Sequence, residues 1–157
     1  MWGVTREGKK NPMGCDIHLH VETKQYDAWL EVRNPIHEET YSQHTYRHWP
    51  GSDRYYTLFA VLADVRNRDG SVTPIATPRG LPGDASRTVK DEADTWDGDG
   101  HSHSYLTLRE LVDYDWDAPA GHSTIRQQVG DFFSLMQLMA HETLDMEYAR
   151  IVFWFDN

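Results

Sequence analysis

The run R-I-V-F-W-F-D-N at 150–157 constrains this chain's fold more than any other segment, because it places β-branched and aromatic residues at consecutive positions. Apolar on both faces, it predicts a central strand of a sheet. The stretch M-G-C-D-I-H-L-H-V-E at 13–22 predicts a second strand. Here Ile17, Leu19 and Val21 alternate with Asp16, His18, His20 and Glu22, the period of a half-buried strand. Alternation resumes over Ala28–Arg33 after the polar K-Q-Y-D at 24–27, so the two runs predict an antiparallel hairpin. With Leu30 and Val32 toward the core, Trp29, Glu31 and Arg33 share the outward face with the two histidines, and cross-strand pairing between them is expected.

Residues 34–53 lack clean periodicity and read as a long loop or short irregular helices. Leu58, Phe59, Val61, Leu62 and Val65 predict an amphipathic helix of about three turns, ending near the N-R-D-G turn at 67–70. Residues 70–104 are rich in loop chemistry, with a short helix able to start at Asp84 or Ser86. Thr107 and Glu110 match a capping box, so a helix starts there and runs to about Tyr114. Ser123 is placed to cap a longer helix whose Ile125, Val129, Phe132, Phe133, Met136, Leu138 and Met139 form an apolar stripe. The expected architecture is α+β, a small mostly antiparallel sheet packed against two or three helices. Residues 1–12 read as an N-terminal extension and 13–157 as a single α+β domain.

The net charge of −10 disfavours a duplex nucleic-acid footprint, which depends on Lys and Arg neutralising phosphates. A small anionic ligand held by a few arginines remains compatible, and Arg66, Arg68, Arg79 and Arg87 fall close together. No apolar run approaches the roughly 18 residues of a membrane helix. The first twelve residues lack an apolar h-region and the lone Cys15 cannot form an internal disulfide, so a reducing cytoplasm is the expected setting. Cys15 itself reads as a small buried side chain, and Trp154 as core.

Chemistry concentrates in two histidine pairs. On a strand, His18 and His20 stand about 7 Å apart, close enough to act on one ligand. An isolated pair is as readily an exposed polar face. The second pair, His101 and His103, sits in D-G-H-S-H-S at 99–104 behind Asp91, Glu92, Asp94, Asp97 and Asp99, read as a flexible acidic loop. If the pairs meet in one pocket, two chemistries are open. Asp16, His18 and His20 with His103 could hold a divalent metal ion that activates water. Alternatively His18, His20, His101 and His103 share acid and base roles without metal, a cation steadying the developing charge. Arg79 in P-R-G-L-P-G-D-A-S, Arg33 and Tyr105 are the candidate substrate-binding residues, and pure binding by the same side chains is a third possibility. His37, His44, His48, His122 and His141 read as surface or packing residues.

Asp16-Ile17-His18 and Gly100-His101-Ser102-His103 resemble the first and last signatures of calcineurin-like metallophosphoesterases, whose intervening Gly-Asp and Gly-Asn-His-Asp motifs this chain lacks. Asp16-Ile17-His18-Leu19-His20 also resembles the opening of polymerase-and-histidinol-phosphatase-type hydrolases, whose barrel needs a longer chain. A broader resemblance runs through M-G-C-D-I-H-L-H-V-E, Y-T-L-F-A-V-L-A-D-V-R-N, P-R-G-L-P-G-D-A-S, D-G-H-S-H-S-Y-L-T-L-R-E-L and R-I-V-F-W-F-D-N. These segments are similar to a family of small proteins encoded by tailed phages. That resemblance implies a viral gene product in a host bacterial cytoplasm, where small accessory proteins counter host defence. The expected function is then an anti-defence phosphodiesterase hydrolysing a small or cyclic nucleotide. The alternative is a nucleotide-sequestering or host-protein-binding protein, and a homodimer is compatible with either.

Overall fold

The computed structural model describes residues 14–33 and 49–157 in full and the backbone of 38–41 and 44–47. The N-terminal extension, His37 and His48 lie outside the described residues, as does the side chain of His44. Strands β1 (Asp16–Gln25), β2 (Ala28–Glu31), β5 (Gly100–Thr107) and β8 (Ala149–Asp156) form one sheet in the order β2-β1-β8-β5. Every pairing in it is antiparallel. Among the described residues four helices accompany it: α1 (Tyr56–Ala63), α2 (Arg87–Trp96), α3 (Leu108–Asp113) and α4 (Phe132–His141). This is the expected small α+β fold, with the closing strand central. None of the helices among the described residues is long and apolar enough to cross a membrane.

The predicted hairpin forms through the two-residue turn Tyr26-Asp27, whose φ values of 51° and 70° match the left-handed turn that suits strand twist. Two of the three predicted caps form, while Ser123 caps no helix. Ser86 accepts from the Val89 amide at the start of α2, and Thr107 and Glu110 make a reciprocal capping box on α3.

β8 is buried on both faces for a specific reason. On one side Ile151, Phe153 and Phe155 join Ile17, Leu19, Val21 and Leu106 against α1, α3 and α4, forming the main core. On the other side Val152 and Trp154 pack with Ala85 and with Val89 and Ala93 of α2, a second and smaller core. The sheet therefore lies between two layers, and α2 with the segment just before it packs on the face that carries His18 and His20.

Several elements differ from the sequence expectation. α1 stops at Ala63 because Asp64 turns left-handed at φ 61° and caps the last turn. The apolar stripe after Ser123 is not one helix: a short strand β7 (Ser123–Thr124) pairs with β6 (Pro119–Ala120), a 3₁₀ turn spans Arg126–Gln128, and α4 begins only at Phe132. Gly130 makes the break, with φ 57° and a Cα so close to the Tyr55 ring that a Cβ would lie 2.2 Å from it. Within 34–53 a hairpin of β3 (Glu38–Tyr41) and β4 (His44–Arg47) replaces the expected loop. Leu30, on the edge strand β2, is 47% exposed rather than turned into the core.

One buried ion pair locks the layers together. Glu22 is fully buried and Arg150 is 4% exposed, on facing positions of β1 and β8. Arg150 Nε donates to Glu22 Oε1 at 2.8 Å, while Nη1 donates to Asp84 Oδ1 at 3.1 Å. Glu22 Oε2 accepts from the Ser86 amide at 2.7 Å, and the guanidinium lies 3.9 Å from the Trp29 ring. Removing one partner leaves an uncompensated buried charge. Arg150→Met should cost about 3–5 kcal/mol in urea unfolding, and adding Glu22→Gln should recover part of that loss. Equal stabilities for the single and double variants would show that the pair is not what holds this region.

Candidate active site

Period-2 alternation puts His18 and His20 on the α2 side of β1, and the two imidazoles line a cleft of about 780 Å³. Each is backed by a carboxylate, through opposite ring nitrogens. His18 Nε2 lies 2.5 Å from Asp156 Oδ2, which follows from β1–β8 pairing. His20 Nδ1 lies 2.7 Å from Glu31 Oε2 across the hairpin. Since a carboxylate accepts, each contact carries the imidazole proton, leaving Nδ1 of His18 and Nε2 of His20 as the other ring nitrogens. Glu31 is itself steadied by the Thr88 hydroxyl, 2.7 Å from Oε1. α2 contributes the opposite wall. Trp96 sits with its ring centroid 4.2 Å from that of His18, and its Nε1 donates to Glu92 Oε2 at 3.2 Å.

At the rim Arg54 grips Asp16 through Nε at 2.6 Å and Nη2 at 3.1 Å. This pairing, ahead of a smaller opposing effect of burial, holds the Asp16 carboxyl below its ordinary value. Arg54 is a cleft residue that no sequence pattern marked, because it stands in an aperiodic loop. Asp156 did carry a signal: it follows Trp154 by two residues in a strand and so shares its face.

The second histidine pair is divided rather than convergent. D-G-H-S-H-S is not a loop, for Gly100–Thr107 is strand β5. His101 stands opposite Phe155 and Ser104 opposite Phe153, so Ser102 and His103 together face Trp154 in a bulge, with Ser102 at φ 56°. The extra residue reverses the alternation. His101 falls on the Phe155 side, where its Nε2 meets Asn157 Oδ1 at 2.5 Å, while His103 falls on the Trp154 side.

Trp154 then separates the two groups on its own face. Its fully buried indole is stacked by His18 at 5.8 Å and His20 at 5.2 Å from β1, and by His103 at 5.6 Å from β5. His103 lines a second, smaller cleft of about 440 Å³ with Gly80, Leu81, Asp94 and Asp97. The expected single pocket uniting His18 and His103 is thus two clefts on either side of one indole.

The remaining candidates have structural partners. Arg79 donates through Nη1 and Nη2 to both oxygens of Glu110, at 2.9 and 2.5 Å, and to the Tyr105 carbonyl at 3.0 Å. The Tyr105 ring lies 5.5 Å from the Arg79 guanidinium and 5.7 Å from that of Arg150. Arg33 is exposed beyond the end of β2 and is not part of the cleft lining. Arg87 forms an exposed pair with Asp91, and Arg66 lies 5.0 Å from the Tyr56 ring. Cys15 is buried, as expected, which raises its thiol pKa.

The proposed metal set of Asp16, His18, His20 and His103 does not fit a shared ion. Asp16 is held by Arg54, the two histidines point a nitrogen each at different carboxylates, and His103 is beyond the indole. Among the described residues no three His, Cys, Asp or Glu side chains are arranged to hold a metal ion. No family model matches the chain, and neither does any curated protein or solved structure.

Burial, and secondarily His101, pushes the His103 pKa below the usual imidazole value. The unfolded chain therefore binds a proton more readily there, so stability is full above about pH 6.5 and falls as pH drops toward the lowered folded value. NMR titration should place His103 below the ordinary imidazole value, and His103→Gln should flatten the pH dependence of the unfolding midpoint below pH 6.5. An unshifted His103 titration would refute this.

Proposed function

We propose that the cleft beside Trp96 is a hydrolase site acting on a small ligand of the nucleoside or nucleotide class, by general acid–base catalysis. The observation that supports this most is the pair His18–Asp156 and His20–Glu31. Two imidazoles two residues apart on a packed strand, each oriented by its own carboxylate, meet the needs of one acid and one base acting on a common bond. The carboxylates fix the orientation of each ring and the nitrogen that carries its proton. Thr88 extends the His20 pair to a third member, in the manner by which outer hydrogen bonds fix an active geometry.

The cleft has room for a ligand of this size, and Trp96 supplies an apolar plane against which a base can stack. The similarity of several segments to tailed-phage proteins supports a setting in an infected bacterial cytoplasm, where nucleotide signals of host immunity are the natural small ligands of this class. Cyclic-nucleotide hydrolysis belongs to this proposal as one substrate within it. A sequestering protein would use the same walls without turnover.

The test is incubation of the purified protein with nucleosides and with linear and cyclic nucleotides, with and without EDTA, followed by chromatography after heat denaturation. New products that form equally in EDTA are the expected result. His18→Gln and His20→Gln should each lower turnover by about 10²–10⁴-fold while ligand binding survives. A ligand removed from solution before heating and recovered intact afterwards would replace the hydrolase with a sequestering protein.

A further inference from the structure

We propose that the bond broken in this cleft is the N-glycosidic bond of a nucleoside-class ligand, between C1′ of the ribose and the base nitrogen. This inference rests on the hydrolase reading above and specifies its chemistry. Among the described residues five carboxylates line the cleft, Asp16, Glu31, Asp53, Glu92 and Asp156, with one guanidinium, Arg54, which Asp16 holds through two hydrogen bonds. The other cation expected at a phosphate, Arg79, is committed to Glu110 and does not line this cleft. Transfer at a phosphate spreads negative charge over its oxygens and calls for cations or donors around them. Loss of a base from ribose does the reverse, since positive charge develops over C1′ and the ring oxygen in an oxocarbenium-like transition state, which facing carboxylates stabilise. Carboxylates also accept hydrogen bonds from ribose hydroxyls, as in dinucleotide-binding sites.

The acids alone would not identify a site. Two independent features place the reacting groups. Trp96 offers a stacking plane whose neighbour, at 4.2 Å between centroids, is His18. The imidazole that Asp156 holds packs against one side of that indole, so a base on the part of Trp96 that lines the cleft meets the edge of the same imidazole. His20, with Glu31 and Thr88 behind it, lies one strand repeat away on the same face. In the reaction a water oxygen bonds to C1′ as the C1′–N bond breaks, and its electron pair leaves with the base nitrogen. Protonated His18 donates a proton to the departing base, and neutral His20 accepts a proton from the water. Products are free base and ribose, and proton exchange with solvent resets both histidines. Glu92, tied to α2 through Trp96 Nε1, is the carboxylate positioned to face the developing charge from the wall opposite the strand.

Purified full-length protein is incubated separately with adenosine, inosine, cytidine and uridine, and with 2′,3′- and 3′,5′-cyclic monophosphates, and products are separated chromatographically. Free base from a nucleoside is the expected result. Ring-opened monophosphates without free base would overturn the bond assignment and leave the hydrolase standing. No product from any compound would overturn the hydrolase and this inference with it. A protonated pyrrolidine mimic of the ribosyl cation provides the second measurement. It should bind at least 100-fold more tightly than the nucleoside substrate, and Glu92→Gln should abolish most of that preference while the circular-dichroism melting profile stays that of the parent. Asp53→Asn, on an exposed side chain, should weaken the preference by a smaller factor. Equal affinity for the cation and the neutral nucleoside would overturn the charge argument.

Discussion

Arg150 and Glu22 face each other from adjacent strands with almost no access to water, and the position of α2 depends on how their remaining valences are met. Glu22 uses its second oxygen on the Ser86 amide, the residue that caps α2, and Arg150 reaches Asp84 just upstream. An unpaired charge here would be far more costly than the pair, so the segment 84–86 cannot drift from the sheet without exposing that cost. With its first turn anchored, α2 lies along the sheet, and Thr88, Glu92 and Trp96 arrive in sequence over β1 at helical spacing. The roof of the cleft follows from an ion pair that does not line it.

Which parts of this arrangement were legible depends on range. Alternation at Ile17, Leu19 and Val21 gave the face of β1 that carries His18 and His20, because period 2 is a local property of a strand. The caps at Ser86 and Thr107 were legible for the same reason, each being a hydrogen bond closed within four residues. The cross-strand partner Glu31 followed from the hairpin. The face of Asp156 was legible from its spacing to Trp154, but its pairing with His18 required a knowledge of strand order, and Arg54 required the path of an aperiodic loop. Arg79 misled because a guanidinium in a glycine- and proline-rich loop has the composition of an anion site, whereas its actual carboxylate, Glu110, is 31 residues away and already part of a helix cap.

His101 and His103 show a different limit. Two residues apart in a regular strand they would share a face, as His18 and His20 do. The bulge at Ser102 adds one residue opposite Trp154 and inverts the phase, so identical spacing yields opposite placement. Glycine was available at neighbouring Gly100, yet the left-handed φ falls on Ser102, a serine whose hydroxyl meets His101 Nδ1 at 3.0 Å. Strain of this kind at a non-glycine position is retained where the surrounding structure over-determines it.

The indole of Trp154 is what makes one sheet face into two environments. Stacked by imidazoles from both neighbouring strands and covered by α2, it fills the space through which the two histidine groups would otherwise meet. Its Nε1 has no hydrogen-bond partner among the described residues, a cost tolerated where the ring's apolar burial is large. On the β5 side that leaves His103 half-buried and biased toward its neutral form. On the β1 side it leaves two imidazoles that cannot reach His103 and instead take Asp156 and Glu31 as partners. A histidine neutral by burial and a histidine held by a carboxylate are different reagents. The same ring, packed for stability, thereby keeps the two carboxylate-held imidazoles of β1 apart from the half-buried His103 of β5.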